Sequence, residues 1–258
     1  MKIFNAKLHP VFFAWVIISL CSAKFSKAQA KQEMDEYLQE FFLGETSFSQ
    51  ERNEIQLTLK PIFTKCEQRQ LCIPLAVEYG LTDRLQIEVE VPYLISSLTE
   101  RHRIRGMGNV EVGLMYNILK SYRPFSLSVG MNKTLQTAGK HIRAYDNEAS
   151  WEAYTVVARQ LGIGQIHGNF RTELADGQLK LNYGMASVFN FGRCNATFEV
   201  TTDKEEERIF FFTPGLIWKQ PNGLEFGMAL STSVDKYSDN WSLAAMLIYE
   251  FSIFSKKD

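Results

Sequence analysis

The sequence lacks an excess of charge of either sign and has few histidines. Lysine and arginine number 28 against 29 acidic residues, so no strongly basic surface is available for nucleic acid. The histidines beyond residue 30, His102, His141 and His167, have no metal-ligand spacing. The glycine-rich stretches 106–109 and 162–168 lead into strand-like sequence, so neither fits a phosphate-binding turn. We therefore expect no nucleic-acid partner, no metal and no cofactor.

The sequence also lacks an apolar run long enough for a transmembrane helix, which needs about 20 residues. Its N-terminus has only the ten-residue run VFFAWVIISL after Lys2 and Lys7, which is typical of an export signal. Cleavage after Ala23 or after Ala30 are the alternatives, and we favour Ala30 because it completes an A-x-A stretch. A lipid-modified Cys21 is disfavoured because Leu20 precedes it where a small residue is usual.

The mature chain is predicted to be mildly acidic. Cleavage after residue 30 removes four of the 28 basic residues and no acidic residue, which leaves 24 basic against 29 acidic ones. The predicted organisation is a signal peptide at 1–30, a leader at 31–50 that acts as a plug or a periplasmic segment, and a barrel at 51–258.

Beyond the leader, apolar and polar side chains alternate to the end of the chain. In YGLTDRLQIEVEVPY, residues 79–93, the apolar residues Ile87, Val89 and Val91 alternate with Glu88 and Glu90. A period of two is typical of a β-strand with one apolar face. About 12 such strands lie between residues 53 and 251, which predicts an all-β fold, an antiparallel up-and-down transmembrane β-barrel with both ends on one side.

The connections between the predicted strands differ in length. Short turns such as GLTDR and QPNG contain Gly or Asn. Longer polar stretches alternate with them at 96–105, 137–150, 201–207 and 233–240, with the short ADGQ as an exception. This asymmetry is typical of an outer-membrane barrel with turns in the periplasm and loops outside. A soluble β-sandwich is the alternative, and the regular alternation favours the barrel.

The predicted location is the cell outer membrane of a diderm bacterium, in contact with outer-membrane lipid. The last strand, WSLAAMLIYEF, ends at Phe251 and resembles the closing strand that the barrel-assembly machinery binds. The basic cluster Arg101, Arg103 and Arg105 is a candidate contact for lipopolysaccharide phosphates if its loop faces outward, and a solvated basic loop is the default interpretation.

The polar member of each alternation is expected to face the lumen of the barrel. The predicted lumen-lining residues are Glu78, Glu88, Glu90, Glu111, Asn117, Arg171, Glu173, Lys180, Glu225 and Glu250. Carboxylates in a narrow pore favour cations. Alternatively, the glutamates pair with Arg171 or Lys180 and only fill the interior.

Two stretches resemble a known family. YGLTDRLQIEVEVPY and, after a loop, GMGNVEVGLMYNIL are similar to the outer-membrane channel family named for the MetA pathway of phenol degradation. The resemblance is specific over residues 79–119, where Asn109 replaces the more usual Asp. It implies a transporter-like β-barrel and brings no catalytic or binding residues.

The predicted function is a narrow passive channel for small solutes, including hydrophobic or aromatic ones. Twelve strands enclose more space than an eight-stranded barrel and less than a sixteen-stranded porin. The alternatives are a structural barrel without transport and an outer-membrane enzyme of lipase type. For the enzyme, His141 and His167 are the candidate bases, and no serine lies in a nucleophile motif. We therefore predict no catalytic residues.

The number of cysteines beyond residue 30 is odd. They are Cys66, Cys72 and Cys194. Cys66 and Cys72 lie close together between the first two predicted strands, and Cys194 lies beside a turn on the opposite side. In an oxidising compartment this predicts a Cys66–Cys72 disulfide and a free Cys194.

Overall fold

The stretches in which apolar and polar residues alternate form fourteen β-segments in the computed structural model. It describes residues 37–65, 69–99, 102–120, 124–142, 149–175, 177–204, 208–233 and 241–253. The segments are β1 (Glu54–Leu59), β2 (Ile62–Lys65), β3 (Arg69–Gly80), β4 (Leu85–Thr99), β5 (His102–Met107), β6 (Val110–Asn117), β7 (Phe125–Leu135), β8 (Ser150–Leu161), β9 (Gly164–Ala175), β10 (Gln178–Phe191), β11 (Cys194–Lys204), β12 (Arg208–Lys219), β13 (Leu224–Ser233) and β14 (Trp241–Ser252).

The fourteen segments make twelve barrel strands, because β1 and β2 are consecutive parts of one strand and β5 and β6 of another. Every pairing is antiparallel, and β1 and β2 both pair with β14, which closes the sheet. Glu54 lies opposite Ser252, so the first and last strands meet at one end of the barrel. The predicted twelve-stranded antiparallel barrel is confirmed. Within the described residues, no helix is long and apolar enough to cross a membrane.

The first barrel strand is interrupted at Lys60 and Pro61. Pro61 has no N–H and cannot donate to a neighbouring strand. Its carbonyl still accepts from Ala245 N at 3.0 Å, and Lys60 N donates to the Pro74 carbonyl at 3.1 Å. The interruption therefore divides the strand into two segments without opening the barrel.

The two faces of the sheet differ as a membrane barrel requires. On β1, Gln56 and Thr58 are 0% and 2% exposed inside the barrel, whereas Leu57 and Leu59 are each 37% exposed outside. On β4, Val89 points outward and is 40% exposed. Apolar side chains outside and polar side chains inside invert the arrangement of a soluble protein. A soluble β-sandwich, with its apolar faces inside, does not describe this fold.

The strand ends define a turn end, where β1 begins and β14 ends, and an opposite loop end. At the turn end, Gly162, Gly192 and Gly223 have positive φ angles of 59°, 78° and 80°, which glycine adopts without steric cost. The short ADGQ turn lies at the loop end, where Gly177 has φ 73°.

The predicted loops at 96–105 and 201–207 are wrong in extent. β4 continues to Thr99 and pairs with β5, with Ser96 opposite Ile104. β11 likewise continues to Lys204, opposite Arg208. Cross-strand hydrogen bonds extend the strands through these polar residues, since ladder bonds use the backbone and not the side chain.

Cys72 lies in β3 opposite Ile62 of β2, with Leu94 of β4 on its other side. Cys66 lies outside the described residues, so the Cys66–Cys72 disulfide stays a prediction. Cys194 begins β11 at the turn end, opposite Phe191 and Trp218.

We expect mass spectrometry of the unreduced protein to find one intramolecular link, Cys66–Cys72, and one alkylatable thiol at Cys194. The two cysteines are only six positions apart in the sequence, so the closed loop is short and should contribute only about 2 kcal/mol to the free energy of unfolding. Replacing Cys194 with Ser is the control and should leave the link intact. A link from Cys194 to either residue would contradict the strand order.

Candidate functional site

The candidate site is the barrel lumen, which contains the part of the leader that the structure describes, residues 37–50. The backbone N–H groups of Phe42, Leu43 and Gly44 all donate to the Glu199 carboxylate, each at 2.8 Å. Glu199 projects inward from β11 and is 0% exposed. A carboxylate that accepts several backbone N–H groups makes charge-assisted hydrogen bonds, which are stronger than neutral ones. Glu199 is therefore the main polar anchor of this segment.

The end of the leader segment is held by the opposite wall of the barrel. The Ser47 carbonyl accepts from Asn117 Nδ2 at 2.6 Å and from Ser128 Oγ at 2.7 Å. Gln50 N donates to Gln86 Oε1 at 2.8 Å. Since Asn117, Ser128 and Gln86 belong to β6, β7 and β4, the segment is attached to both sides of the lumen.

An apolar cluster fixes the start of the segment. Leu38, Phe41 and Phe42 are at most 2% exposed, and they pack with inward-facing apolar residues of β10, β12, β13 and β14, including Val188, Ile217, Met246 and Ile248. Burial of three large side chains is worth about 1.5–3 kcal/mol for each one. The inner wall is apolar here because the leader covers it.

Ion pairs join the segment to two cationic side chains of the wall. Lys60 Nζ pairs with Glu40. Arg171 lies 2.9 Å from Glu45 and 3.7 Å from Glu152, measured between nitrogen and carboxylate oxygen. Both cations thus bind carboxylates of the leader.

An acidic cavity of about 390 Å³ lies beside the leader and occupies one side of the lumen. Its described lining contains eight glutamates and two cations, Lys60 and Arg171. The glutamates are Glu40, Glu45, Glu78, Glu88, Glu90, Glu111, Glu152 and Glu173. Carboxyl groups thus outnumber cationic side chains in this lining by eight to two, a composition that favours cations over anions.

A second, neutral cavity of about 320 Å³ lies beside the acidic one. Its lining comes mainly from β9 to β14 and includes hydroxyl groups of Thr213, Ser231 and Ser242 and aromatic rings of Phe42 and Phe211. Among the described residues that line it, Arg171 is the only charged one. The lumen is therefore acidic on one side and neutral on the other.

The predicted lumen-lining residues occupy four places. Six of them line the acidic cavity: Glu78, Glu88, Glu90, Glu111, Arg171 and Glu173. Asn117 donates a hydrogen bond to the Ser47 carbonyl of the leader. Nearer the turn end, Glu225 pairs with Lys219 at 2.7 Å and Glu250 binds Gln39. Lys180 lies opposite Glu173 at the loop end.

Sequence reasoning missed several residues of the site. Lys60 and Glu199 share the polar face of their stretches, and that parity was a usable signal. Glu152 lies in β8, where Tyr154 and Val156 also face inward, so parity gave no signal there. Glu40 and Glu45 of the leader had none, because an irregular segment has no period from which a facing direction follows. Arg171 pairs with Glu45 and Glu152, whereas the alternative hypothesis joined it to Glu88 and Glu90.

The two candidate bases of the enzyme hypothesis differ in their exposure to solvent. His167 is 0% exposed and is packed between leader aromatics, with its ring centroid 4.9 Å from that of Phe41 and 6.1 Å from that of Phe48. His141 is exposed in the segment between β7 and β8. A lipase-type site at the outer rim would have to use His141, since His167 is enclosed by the leader.

The closed antiparallel barrel, with its apolar exterior and charged interior, has the architecture of outer-membrane channels and porins. The fold is similar to that of the COG4313 outer membrane channel from Pseudomonas putida F1, with a TM-score of 0.64 and 10% identity over 80% of this chain and 98% of that chain. It is also similar to the KdgM porin, with a TM-score of 0.56 and 10% identity over 75% of this chain and 99% of that chain. These likenesses show the fold. No protein-family model matches the sequence, and none of the curated proteins compared with it is significantly similar.

Proposed function

We propose that the protein is a narrow passive channel for small solutes in the outer membrane. The observation that carries this proposal is the closed barrel with apolar side chains outside and many carboxylates inside. Ionised groups need water or counterions around them, so the lumen is suited to hold water and solutes, whereas the exterior is suited to lipid. Channels and porins of similar fold support the same function.

We further propose that residues 37–50 act as a plug that narrows this channel. The segment is attached to both walls by the contacts of Glu199 and Ser47. A twelve-stranded barrel has an interior of limited width, so one ordered segment occupies much of it. Small solutes would pass through the two cavities beside the segment, or through the wider lumen that opens when the segment moves.

We also propose the family of this chain, its export and its partners in the membrane. The stretches at 79–93 and 106–119 support membership in the MetA-pathway channel family. Export by residues 1–30, which lie outside the described residues, suits this location. The outward aromatic residues of β14, Tyr249 and Phe251, stack at 5.5 Å between ring centroids and suit recognition by the barrel-assembly machinery. The exposed Arg105 supports a lipopolysaccharide contact.

The channel proposal is tested by two measurements on the purified full chain. Heat-modifiable migration in detergent should show a folded barrel, since closed barrels resist unfolding until heated. Reconstitution in a planar bilayer should then give discrete single-channel currents. A folded barrel that never conducts, with or without residues 37–50, would contradict the channel and favour a structural barrel.

We expect Glu88→Gln combined with Glu90→Gln to leave folding nearly intact and to reduce the preference for cations. The pair represents two of the eight glutamates of the acidic cavity, so the fall in the K⁺ to Cl⁻ permeability ratio should be partial. Reversal potentials in a salt gradient measure it. The charge-matched control, Glu54→Gln with Asp83→Asn, lies at the turn end outside this cavity and should have a smaller effect. An unchanged ratio would show that the glutamates only fill the interior.

A further inference from the structure

Three pairs of carboxylates face one another across neighbouring strands around the acidic cavity. The pairs are Glu78 with Glu88, Glu90 with Glu111, and Glu152 with Glu173. Like charges directly opposite each other destabilise a sheet. Lys60 and Arg171, the cations in the described lining, contact the leader glutamates, and Arg171 also contacts Glu152 of the third pair. Within the described residues, the pairs Glu78–Glu88 and Glu90–Glu111 therefore have no ion-pair partner. A bound cation would relieve this repulsion.

A buried hydrogen-bond acceptor lies in the same place. Asn132 projects from β7 into the acidic cavity and is 7% exposed. Its Oδ1 has no hydrogen-bond partner among the described residues, while its Nδ2 lies 3.5 Å from Glu152 Oε1. Gly113 lies opposite on β6, and a Cβ there would be 2.7 Å from Oδ1. Buried polar atoms normally have partners, so an oxygen beside carboxylates indicates a ligand that donates N–H groups.

The neutral cavity gives room for the rest of such a ligand. The two cavities share the lining residues Leu43, Gly44, Arg171 and Asn182, so a single molecule can reach from one to the other. Asn169 Nδ2 and Asn182 Oδ1 also have no hydrogen-bond partner among the described residues. Phe42 and Phe211 provide aromatic surface in the same lining. An uncharged ring with few polar groups fits this lining.

The ligand class follows from the spread of the charges. Within the described residues, no three His, Cys, Asp or Glu side chains are grouped so that they could hold a metal ion. An ammonium group has three N–H donors and tolerates acceptors at varied distances, so it suits dispersed carboxylates better than a metal ion does.

We propose that the lumen beside the leader binds a small organic cation. Its ammonium group would lie among the paired glutamates and its uncharged ring in the neutral cavity. This inference rests on the proposed channel and names the class of solute that the channel favours. The residues that distinguish it are Glu90 and Glu111 for the ammonium group and Asn132 for a direct hydrogen bond.

The experiment compares three monosubstituted benzenes on the full-length protein in planar bilayers. Benzylamine is the cationic probe, benzyl alcohol the neutral one and benzoate the anionic one. Benzylamine added on the loop side should interrupt the current at concentrations where the other two have no effect. Glu90→Gln combined with Glu111→Gln should weaken this block by about tenfold or more, as expected for the loss of a few favourable charge contacts. Benzylamine should block the control variant, Glu54→Gln with Asp83→Asn, as strongly as it blocks the parent protein.

Calorimetric titration of the same compounds into detergent-solubilised protein separates this inference from the channel proposal. Benzylamine binding that depends on Glu90 and Glu111 supports the site even if the bilayers show no current. Equal block or binding by benzyl alcohol would overturn the ammonium site and indicate a neutral one. Normal currents with no effect of benzylamine, together with no heat of binding, would overturn the inference and leave the channel proposal standing.

Discussion

Val89→Arg should destabilise the folded barrel in lipid by about 2–4 kcal/mol if Val89 lies near the bilayer midplane, which is the cost of a cationic side chain on the lipid face at that depth. Val89 is 40% exposed on the outer surface, between Val77 of β3 and Val112 of β6. In lipid, the guanidinium group would lose its hydration at this position. Denaturant unfolding in vesicles measures the change, and heat-modifiable migration should show less folded protein.

The matched controls for Val89→Arg use its own position and its neighbour. Val89→Leu keeps the apolar surface and should remain within about 1.5 kcal/mol of the parent protein. Glu90→Gln changes the adjacent inward position and should leave assembly unaffected, because that side chain faces the lumen. If Val89→Arg were as stable in lipid as Val89→Leu, the outer surface would not be in a bilayer and the membrane assignment would fail.

Glu199→Ala should release the leader segment and increase the mean single-channel conductance. The substitution removes the acceptor of three backbone N–H groups, those of Phe42, Leu43 and Gly44. Each buried N–H left unsatisfied costs about 1–3 kcal/mol, so the docked segment should lose about 3 kcal/mol or more relative to an undocked one. Faster hydrogen exchange at these three amides would report the release independently of conductance.

Thr213→Val is the control for Glu199→Ala. Thr213 lies opposite Glu199 on β12 and hydrogen-bonds Ser231 at 2.8 Å. Its replacement changes the lumen wall without removing a described hydrogen bond to the leader, so conductance should change little. Faster amide exchange without a rise in conductance would show that the segment is attached by Glu199 but does not limit the flow of ions.

Strand parity made much of the fold predictable. In the stretch from Leu85 to Val91, each side chain follows the pleat, so the sequence alone indicated that Val89 faces outward and Glu88 and Glu90 inward. The same argument covers Gln56 and Leu57 on β1. It failed at 96–105, where polar composition suggested a loop, because backbone hydrogen bonds between β4 and β5 do not depend on side-chain polarity.

The contents of the lumen could not be predicted in the same way. Residues 37–50 have no period, so nothing in their order indicated that Phe41 and Phe42 would be buried inside the barrel or that Glu199 would hold the backbone between them and Gly44. The alternation in β8 is also unclear: Tyr154, Val156 and Ala158 are apolar yet face inward, and Ala158 packs with Phe48 of the leader.

The sequence by itself determined the barrel, its strand number and the facing of most strand residues, because each of these follows from local alternation between lipid and water. Only the tertiary structure decided which inward residues meet. The pairing of Glu90 with Glu111 depends on the register between strands, and the contact of Arg171 with Glu45 joins residues that are 126 positions apart. Contacts of this kind arise from closure of the barrel around the leader, which no local pattern encodes.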